Sequence, residues 1–212
     1  MSEDKGDLKK GTTTVAMVCK DGIVMATEMR ATMGTLIAHK NTNKLFKIDE
    51  HLGMTVAGLV GDAQVLARYL RAEVKLFRIK NRTPITVNGA ATLMANILNG
   101  RSYYPYWVQL IVAGIDNTGP HVFSLDAAGG SIEDDYVTTG SGSPYVYGVM
   151  EDHYKKDMSI KEGVELAVRA ISMAMKRDAA SGDGINLATI DKKNGFKRYS
   201  MEEVEKIRKK FQ

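Results

Sequence analysis

The order in which strand-like and helix-like segments follow one another limits the fold of this chain more than any other feature of its sequence. Alternating apolar and β-branched residues predict strands at 13–19, 23–27, 35–38, 45–48, 54–60, 108–115, 121–126, 136–139 and 186–190. Helix-like segments form a pair after the fifth strand and another pair after the eighth, and a last helix ends the chain. A parallel α/β sheet needs strands and helices that alternate, so this order excludes one.

Five polar residues are suited to begin these helices, because their side chains can accept a hydrogen bond from the first turn: Asp62, Thr86, Ser143, Ser159 and Ser200. The last two serines are each followed three residues later by a glutamate, which is the capping-box pattern. Each predicted helix carries a single apolar stripe and therefore has one face to bury. The first sixty residues, by contrast, are predicted to form an antiparallel meander that begins with a hairpin at Asp21-Gly22.

These features together predict a single α+β domain with a four-layer αββα architecture. In this arrangement two antiparallel sheets pack on each other, and a helical pair covers each outer face. The chain has 212 residues, which is the length of one large domain. No internal repeat or linker divides it.

Composition limits the kinds of partner that we expect. The net charge of +4 arises between residues 191 and 212, which hold eight Lys or Arg and four Asp or Glu, so no nucleic-acid partner is indicated. No apolar run is long enough to span a bilayer, and the polar leader at residues 1–10 does not resemble a secretory signal. The single cysteine, Cys19, lies in an apolar strand and indicates a reducing, cytoplasmic setting.

The segment Gly11-Thr12-Thr13-Thr14 joins the leader to the first strand and contains a candidate nucleophile. A hydroxyl is a weak nucleophile at neutral pH and needs a base beside it. If the chain were cut between Gly11 and Thr12, the freed α-amine would provide that base on the same residue. Taken alone, however, the segment is more simply an ordinary strand start, because threonine favours strands.

Other kinds of site have less support. The four histidines His39, His51, His121 and His153 are scattered and one cysteine cannot form a zinc site, so we expect neither a metal nor a cofactor. The run Gly-Ser-Gly-Ser at residues 140–143 lacks the order of a serine-hydrolase elbow and the end of a phosphate-binding loop. We interpret it as a helix-capping loop.

Three further residues gain a role if Thr12 is the nucleophile. Lys44 begins a strand, and its positive charge would lower the pKa of a nearby amine and keep that amine neutral. Glu28 closes an earlier strand and could hold Lys44 charged and oriented; alternatively, the two residues form a surface ion pair of little energetic value. Gly58 would let a substrate approach the main chain, where a backbone N–H can receive the developing oxyanion.

Six motifs occur in a fixed order along the chain: GTTTV at 11–15, MATE at 25–28, KL at 44–45, MTVAGLVGDAQ at 54–64, GSGSP at 140–144 and KRDAASG at 176–182. This set closely resembles the β subunits of archaeal proteasomes, which are N-terminal-nucleophile hydrolases. The resemblance runs from Gly11 to the C-terminal helix. It implies the αββα sandwich, in agreement with the order of elements.

The resemblance also implies that the chain is a threonine endopeptidase made as a precursor. Residues 1–11 would be a propeptide, Gly11–Thr12 the autocatalytic processing bond, and residues 12–212 the catalytic domain with Thr12 as nucleophile. Glu28 and Lys44 would tune the nucleophile, and Gly58 N–H would be the oxyanion donor. Three residues would form the hydrogen-bond network around the Thr12 amine: Ser141, Asp178 and Ser181.

The implied substrate is unfolded polypeptide, cut into short peptides. Thr32, Gly58 and Val60 would pair with the substrate backbone as an added strand. Ala31, Val56 and Val60 would line the pocket for the residue before the cut, and these small apolar side chains imply a chymotrypsin-like preference.

The implied partners are proteasome α subunits, other copies of this chain in two inner seven-membered β rings, and a regulatory ATPase acting through the α rings. The chain departs from the family pattern at Ala16, Ala179 and Asn186, which affects fine tuning. Three alternatives stay open: a ring subunit that does not cut, a small-molecule amidase of the same fold, and the bacterial two-ring relative. The sequence does not define the cleavage preference quantitatively, the ATPase, or whether a second β type shares the ring.

Overall fold

The computed structural model describes residues 11–211, so the predicted leader at residues 1–10 lies outside the described residues. Within this range the strands are, in chain order, β1 (Thr13–Cys19), β2 (Gly22–Glu28), β3 (Ala31–Met33), β4 (Leu36–His39), β5 (Leu45–Asp49), β6 (Leu52–Gly58), β7 (Val108–Ile115), β8 (Pro120–Leu125), β9 (Ser131–Glu133), β10 (Tyr136–Gly140), β11 (Ile185–Asp191) and β12 (Gly195–Arg198). The helices are α1 (Val60–Asn81), α2 (Val87–Asn99), α3 (Ser143–His153), α4 (Ile160–Arg177) and α5 (Met201–Arg208), followed by a 3-10 turn at Lys209–Phe211.

Two five-stranded antiparallel sheets contain most of these strands. The first sheet has the order β10-β1-β2-β11-β12 and the second has the order β5-β6-β7-β8-β9, while β3 and β4 pair only with each other. The predicted meander over the first sixty residues is therefore wrong, because β1 and β2 lie in one sheet and β5 and β6 in the other. The strand predicted at 136–139 is β10, which pairs with β1 in the first sheet and not with β8.

Three hydrophobic clusters separate the layers of the molecule. One packs the second sheet against α1 and α2 through residues such as Met54, Leu66, Met94 and Leu110. Another packs the first sheet against α3, α4 and α5. A third consists of side chains from both sheets, among them Met25 and Ile111. Along β1 and β2 successive residues alternate between the helix side and the sheet side, as strand geometry requires. These contacts confirm an α+β fold.

Three of the five predicted helix starts are confirmed. The Thr86 side chain accepts a hydrogen bond from Gly89 N, and both predicted capping boxes are present, at the starts of α4 and α5. The predicted caps at Asp62 and Ser143 are wrong. Helix α1 begins two residues earlier, at Val60, so the Asp62 carboxylate is already inside the first turn and accepts from Trp107 N instead. Helix α3 begins at Ser143 itself, preceded by Gly142.

None of the helices in residues 11–211 combines the length and the apolar character needed to cross a membrane.

Candidate active site

The ends of three neighbouring strands bring the predicted site residues together. Thr12 directly precedes β1, which lies between β10 and β2, and the register pairs Thr13 with Gly140 and Thr14 with Thr27. Because the strands are antiparallel, β1 begins where β2 and β10 end. Thr12 therefore lies beside Glu28, the last residue of β2, and beside the loop that follows Gly140.

The Gly11–Thr12 peptide bond is enclosed by protein. Thr12 is only 3% exposed, and its Oγ1 donates to Gly11 O at 2.8 Å. Gly11 N donates to Thr32 Oγ1 at 3.3 Å. A Cβ atom at position 11 would lie 1.6 Å from Ala180 Cβ and 2.9 Å from Ser141 Oγ, so no side chain fits here without rearrangement. The local packing therefore requires glycine immediately before Thr12.

A buried ion pair lies on one side of this bond. Lys44 Nζ donates to Glu28 Oε1 and to Arg30 O, and the Glu28 side chain is fully buried. Glu28 Oε1 also accepts from Thr13 N at 3.2 Å, and its Oε2 accepts from Arg30 N at 2.7 Å and from Gly182 N at 3.2 Å. Since one carboxylate oxygen serves both the Lys44 ammonium and Thr13 N, Lys44 is held next to the residue that follows Thr12.

Burial changes the acidity of both members of the pair. It raises the pKa of Glu28, although the Lys44 charge and the hydrogen bonds to the carboxylate oppose the change. It lowers the pKa of Lys44, where the Glu28 charge acts in the opposite direction. Both shifts bring the two pKa values closer together, so the pair is more able to exchange a proton than the same groups in water.

Hydroxyl groups and one carboxylate form a network on the other side of the bond. Asp178 caps the end of α4, and its Oδ2 accepts from Ser141 Oγ and from Ser181 Oγ, each at 2.6 Å. Ser181 Oγ also lies 2.6 Å from Thr13 Oγ1, and Ser141 Oγ donates to Thr12 O at 3.5 Å. The structure thus connects the three predicted network residues to one another and to the start of β1.

Gly58 presents its backbone N–H toward the same region. Leu59 N donates to Trp107 O on the β7 side of the strand, whereas Val56 N donates to Lys44 O on the β5 side. Alternate residues of a strand point their N–H groups to the same side, so Gly58 N–H lies on the side of Lys44, at the end of β6. Gly58 has a φ of 126°, and a Cβ there would lie 2.0 Å from Trp107 O, so glycine is required.

A cleft of about 920 Å³ opens above these groups. Five of the predicted residues line it: Gly11, Thr32, Gly58, Ser141 and Asp178. Ala31 is half-buried in β3, next to Thr32, and Val60 is exposed at the first turn of α1. The structure does not bring Val56 to the cleft wall. Its side chain is 2% exposed and packs in the cluster under α1 and α2, and it is the next residue, Ala57, that lines the cleft.

Comparison with known proteins decides the family. A model of the family described as "Proteasome subunit" matches residues 8–190. The chain belongs to the proteasome subunit family.

Three archaeal relatives match the chain over nearly its full length. The chain is 55% identical to "Proteasome subunit beta" of Thermoplasma acidophilum over 203 residues, covering 95% of this chain and 96% of the relative. It is 52% identical to the protein of the same name from Methanothermobacter thermautotrophicus, with 96% of each chain covered. The relative from Methanohalophilus mahii is 54% identical, with 93% of this chain and 94% of the relative covered. The predicted resemblance to archaeal proteasome β subunits is confirmed.

Sequence patterns did not reveal several residues that hold this proteasome-family site together. Arg30 Nε donates to Asp183 Oδ2 at 2.7 Å and Arg30 Nη1 donates to Ala179 O at 2.8 Å, which ties the Asp178 loop to the strand end that carries Glu28. The hydrogen bond from Arg30 lowers the pKa of Asp183. The turn-forming Asp183-Gly184 pair was the only local signal, and it gives no partner. Thr13 contacts both Glu28 and Ser181, but in the sequence it is only the threonine that follows Thr12.

Among residues 11–211, no group of three or more His, Cys, Asp or Glu side chains is arranged to hold a metal ion.

Proposed function

We propose that this chain is the threonine endopeptidase subunit of a proteasome core particle, with Thr12 as its nucleophile. One observation carries the proposal: a buried threonine hydroxyl lies 2.8 Å from the carbonyl oxygen of the preceding glycine, between a buried Lys-Glu pair and a Ser-Asp-Ser network. The family named above and its archaeal β-subunit relatives support the assignment.

The architecture that we propose is the four-layer αββα sandwich of N-terminal-nucleophile hydrolases. Its support is the separation of three hydrophobic clusters, two between a sheet and its helices and one that mixes residues of both sheets. Residues 12–212 would form this single catalytic domain, and residues 1–11 would be a propeptide.

The first reaction is removal of that propeptide. Thr12 Oγ1 attacks the Gly11 carbonyl carbon, the C–N bond breaks, and the Thr12 nitrogen takes a proton, which leaves Gly11 as an ester on the threonine. Water then hydrolyses the ester, releasing the Gly11 carboxylate and restoring the hydroxyl. While Gly11 is attached, the Thr12 nitrogen is an amide and cannot act as a base, so another group must accept the hydroxyl proton. Lys44 suits this role once it has passed its own proton to its partner Glu28. The shared Glu28 oxygen holds Lys44 next to Thr13, and burial lowers the pKa of Lys44 and raises that of Glu28.

The second reaction is peptide hydrolysis by the mature chain. The free Thr12 amine accepts the Oγ1 proton, Oγ1 attacks the substrate carbonyl, and Gly58 N–H stabilises the oxyanion. The amine then gives its proton to the leaving nitrogen, and water releases the acyl group from Thr12. A terminal amine has a pKa of about 7.7–8.0 before any perturbation, and a neighbouring ammonium lowers that pKa and keeps the amine neutral. Ser141, Asp178 and Ser181 would orient the amine.

The proposed substrate is unfolded polypeptide bound in extended form. Thr32 and Gly58 line the cleft and Val60 lies just beyond it, so these residues would supply the backbone pairing. We propose a hydrophobic, chymotrypsin-like preference through Ala31, Val56 and Val60. Because Val56 packs beneath the wall, it would act by shaping the pocket floor through Ala57.

The proposed assembly encloses the nucleophile. It comprises proteasome α subunits and two inner homo-heptameric β rings, and a regulatory ATPase acts through the α rings in the cytoplasm. The feature that calls for enclosure is the cleft itself, which opens to the surface.

Replacement of Thr12 tests the function. The full chain is produced with the α subunit, and hydrolysis of a fluorogenic hydrophobic peptide is measured for the parent, Thr12→Ala and the matched control Thr92→Ala, whose hydroxyl lies on the exposed surface of α2. We expect Thr12→Ala to assemble, to keep its leader and to lose at least about 10³-fold in activity. Peptide hydrolysis that persists in Thr12→Ala would exclude the assignment.

A further inference from the structure

One wall of the cleft is aromatic and has no role in the chemistry described above. Pro105, Tyr106, Trp107 and Val108 form this wall, which stands next to Gly58. Trp107 is the only tryptophan of the chain, and it is 66% exposed. The substrate cleft thus contains a large apolar ring that is exposed to water. A bound side chain that covers this ring removes apolar surface from water, which favours binding.

The backbone that carries this indole is held at both of its polar groups. Trp107 N donates to Asp62 Oδ2 at 3.0 Å, and Trp107 O accepts from Leu59 N at 2.9 Å. The neighbouring Tyr106 packs against the core of the second sheet, with the Arg101 guanidinium 5.6 Å from its ring centre. The wall is therefore anchored before any substrate arrives, and a substrate does not have to order it.

Strand alternation explains why the indole faces the cleft. In β7 the side chains of Val108, Leu110 and Val112 pack toward α1 and α2. Gln109 points the opposite way, where its Oε1 accepts from Gly140 N at 3.1 Å. Trp107 extends the same alternation by one residue and shares the side of Gln109, which is the side on which the first sheet and Thr12 lie.

The Trp107 backbone also contacts Gly58, the proposed oxyanion donor. The carbonyl of Trp107 lies 2.0 Å from the point where Gly58 would carry a Cβ, so the two backbones are in contact. Because Gly58 and Trp107 both line the cleft, a substrate whose reacting carbonyl points at Gly58 N–H is bound in the same cleft as the Trp107 ring.

We propose that Trp107 is a specificity-determining residue whose ring forms one wall of a substrate subsite for an aromatic or large aliphatic side chain. This inference rests on the proposed endopeptidase function and adds a second source of preference to the pocket at Ala31 and Val60. The recognition is by apolar burial and ring–ring contact, which do not depend on the charge of the substrate.

The test uses the assembled particle and internally quenched octapeptides that differ only by Ala or Phe at one position, with each position examined in turn. For the parent, kcat/KM at one position near the cleaved bond favours Phe. We expect Trp107→Ala to reduce that preference about tenfold while the all-Ala peptide changes by less than about twofold, and Trp107→Phe to retain it. The matched control is Tyr103→Ala, because Tyr103 is 95% exposed in the same segment but does not line the cleft.

Two readouts separate the possible failures. Removal of residues 1–11 is an intramolecular step that does not involve Trp107, so the mass of the Trp107→Ala chain should show normal processing. If the parent particle neither processes nor hydrolyses peptides, the endopeptidase function itself is wrong and the subsite is lost with it. If Trp107→Ala and Trp107→Leu are processed and active but keep the Phe preference of the parent at every position, the subsite is disproved.

Discussion

Two groups of polar side chains flank Thr12, and the protein holds them in opposite ways. Glu28 and Lys44 are charged residues removed from water, with side-chain exposures of 0% and 7%. Ser141, Ser181 and Asp178 form a network that is mostly neutral and that reaches from the buried Ser181 to the exposed Ser141. The first group is expensive to desolvate and depends on mutual pairing. The second group is partly exposed to water, so substitution of one of its members should reduce folding stability less.

This difference suggests a division of labour around one nucleophile. The ion pair is a structural necessity once its charges are buried, and it can act on protons because burial shifts both pKa values. The hydroxyl network contributes orientation more than stability. Substitutions on the two sides should therefore separate: those on the ion-pair side affect stability and activity together, and those on the network side affect mainly activity.

The largest effect is expected from breaking the pair. Lys44→Ala leaves the Glu28 carboxylate buried without its cation, which should cost about 3–5 kcal/mol of unfolding free energy. In the double variant Glu28→Gln/Lys44→Met both charges are absent, and we expect at least about half of that loss to be regained. Denaturant unfolding of the two variants measures the difference. In both variants peptidase activity should be at least about 10²-fold lower than that of the parent. If Lys44→Ala were as stable as the parent, the ion pair would not differ from the hydroxyl network in its effect on stability.

Asp178→Asn should reduce activity strongly with a smaller loss of stability than Lys44→Ala. The amide keeps the shape of the side chain but disturbs the pair of 2.6 Å hydrogen bonds from Ser141 and Ser181. We expect a fall in kcat of about 10²-fold with a loss of stability of about 1–2 kcal/mol. Steady-state kinetics and thermal unfolding of the same preparation provide both numbers. A loss of stability as large as that of Lys44→Ala would show that the network is not the less demanding side.

A smaller difference is expected within the network itself. Ser181 is fully buried and its removal leaves the Thr13 hydroxyl without that partner, so Ser181→Ala should cost about 1–2 kcal/mol. Ser141 is exposed, and Ser141→Ala should stay within about 0.5 kcal/mol of the parent. Denaturant midpoints compare the two alanines directly. If Ser141→Ala were the more damaging for stability, burial would not be the property that ranks these residues.

The smallest effect concerns a buried group with no ionic partner. Burial raises the pKa of the Cys19 thiol to about 12, and the nearby Asp21 and Glu162 carboxylates act in the same direction. At pH 8 the reactive thiolate is therefore scarce, and iodoacetamide should leave the native chain unmodified while modifying it fully in denaturant. Mass spectrometry detects the modification, and rapid alkylation of the folded chain would show that the Cys19 thiol is not protected by burial.

Sequence patterns could predict what depends on local rules. The capping boxes at Ser159 and Ser200 and the cap at Thr86 need only residues within one helical turn, and all three are present. The absence of alternating strands and helices was sufficient to give the α+β class. Local rules failed where a distant partner decided the outcome. Aspartate is a residue type that often caps helices, but the Asp62 carboxylate accepts a hydrogen bond from Trp107 N, 45 residues away.

Sheet membership and the details of the site were beyond these rules for the same reason. Nothing in the strand pattern states that β10 pairs with β1, because hydrogen bonding between strands is set by the register of residues more than a hundred positions apart. Thr12, Glu28, Lys44 and Gly58 could be proposed from the chemistry of their side chains and backbone, whereas the other residues of the site came from a family resemblance. The clamp from Arg30 to Asp183 and to Ala179 O depends on a loop that packs against a strand end, and no periodicity reports such a contact.

We expect cleavage after Gly11 to create the catalytic amine on Thr12, and the mass of the chain shows whether this cleavage occurs. The full chain is assembled with the α subunit, and its intact mass and N-terminal sequence are determined together with peptidase activity. We predict an active particle in which the chain begins at Thr12. An active particle whose chain still begins at Met1 would contradict it.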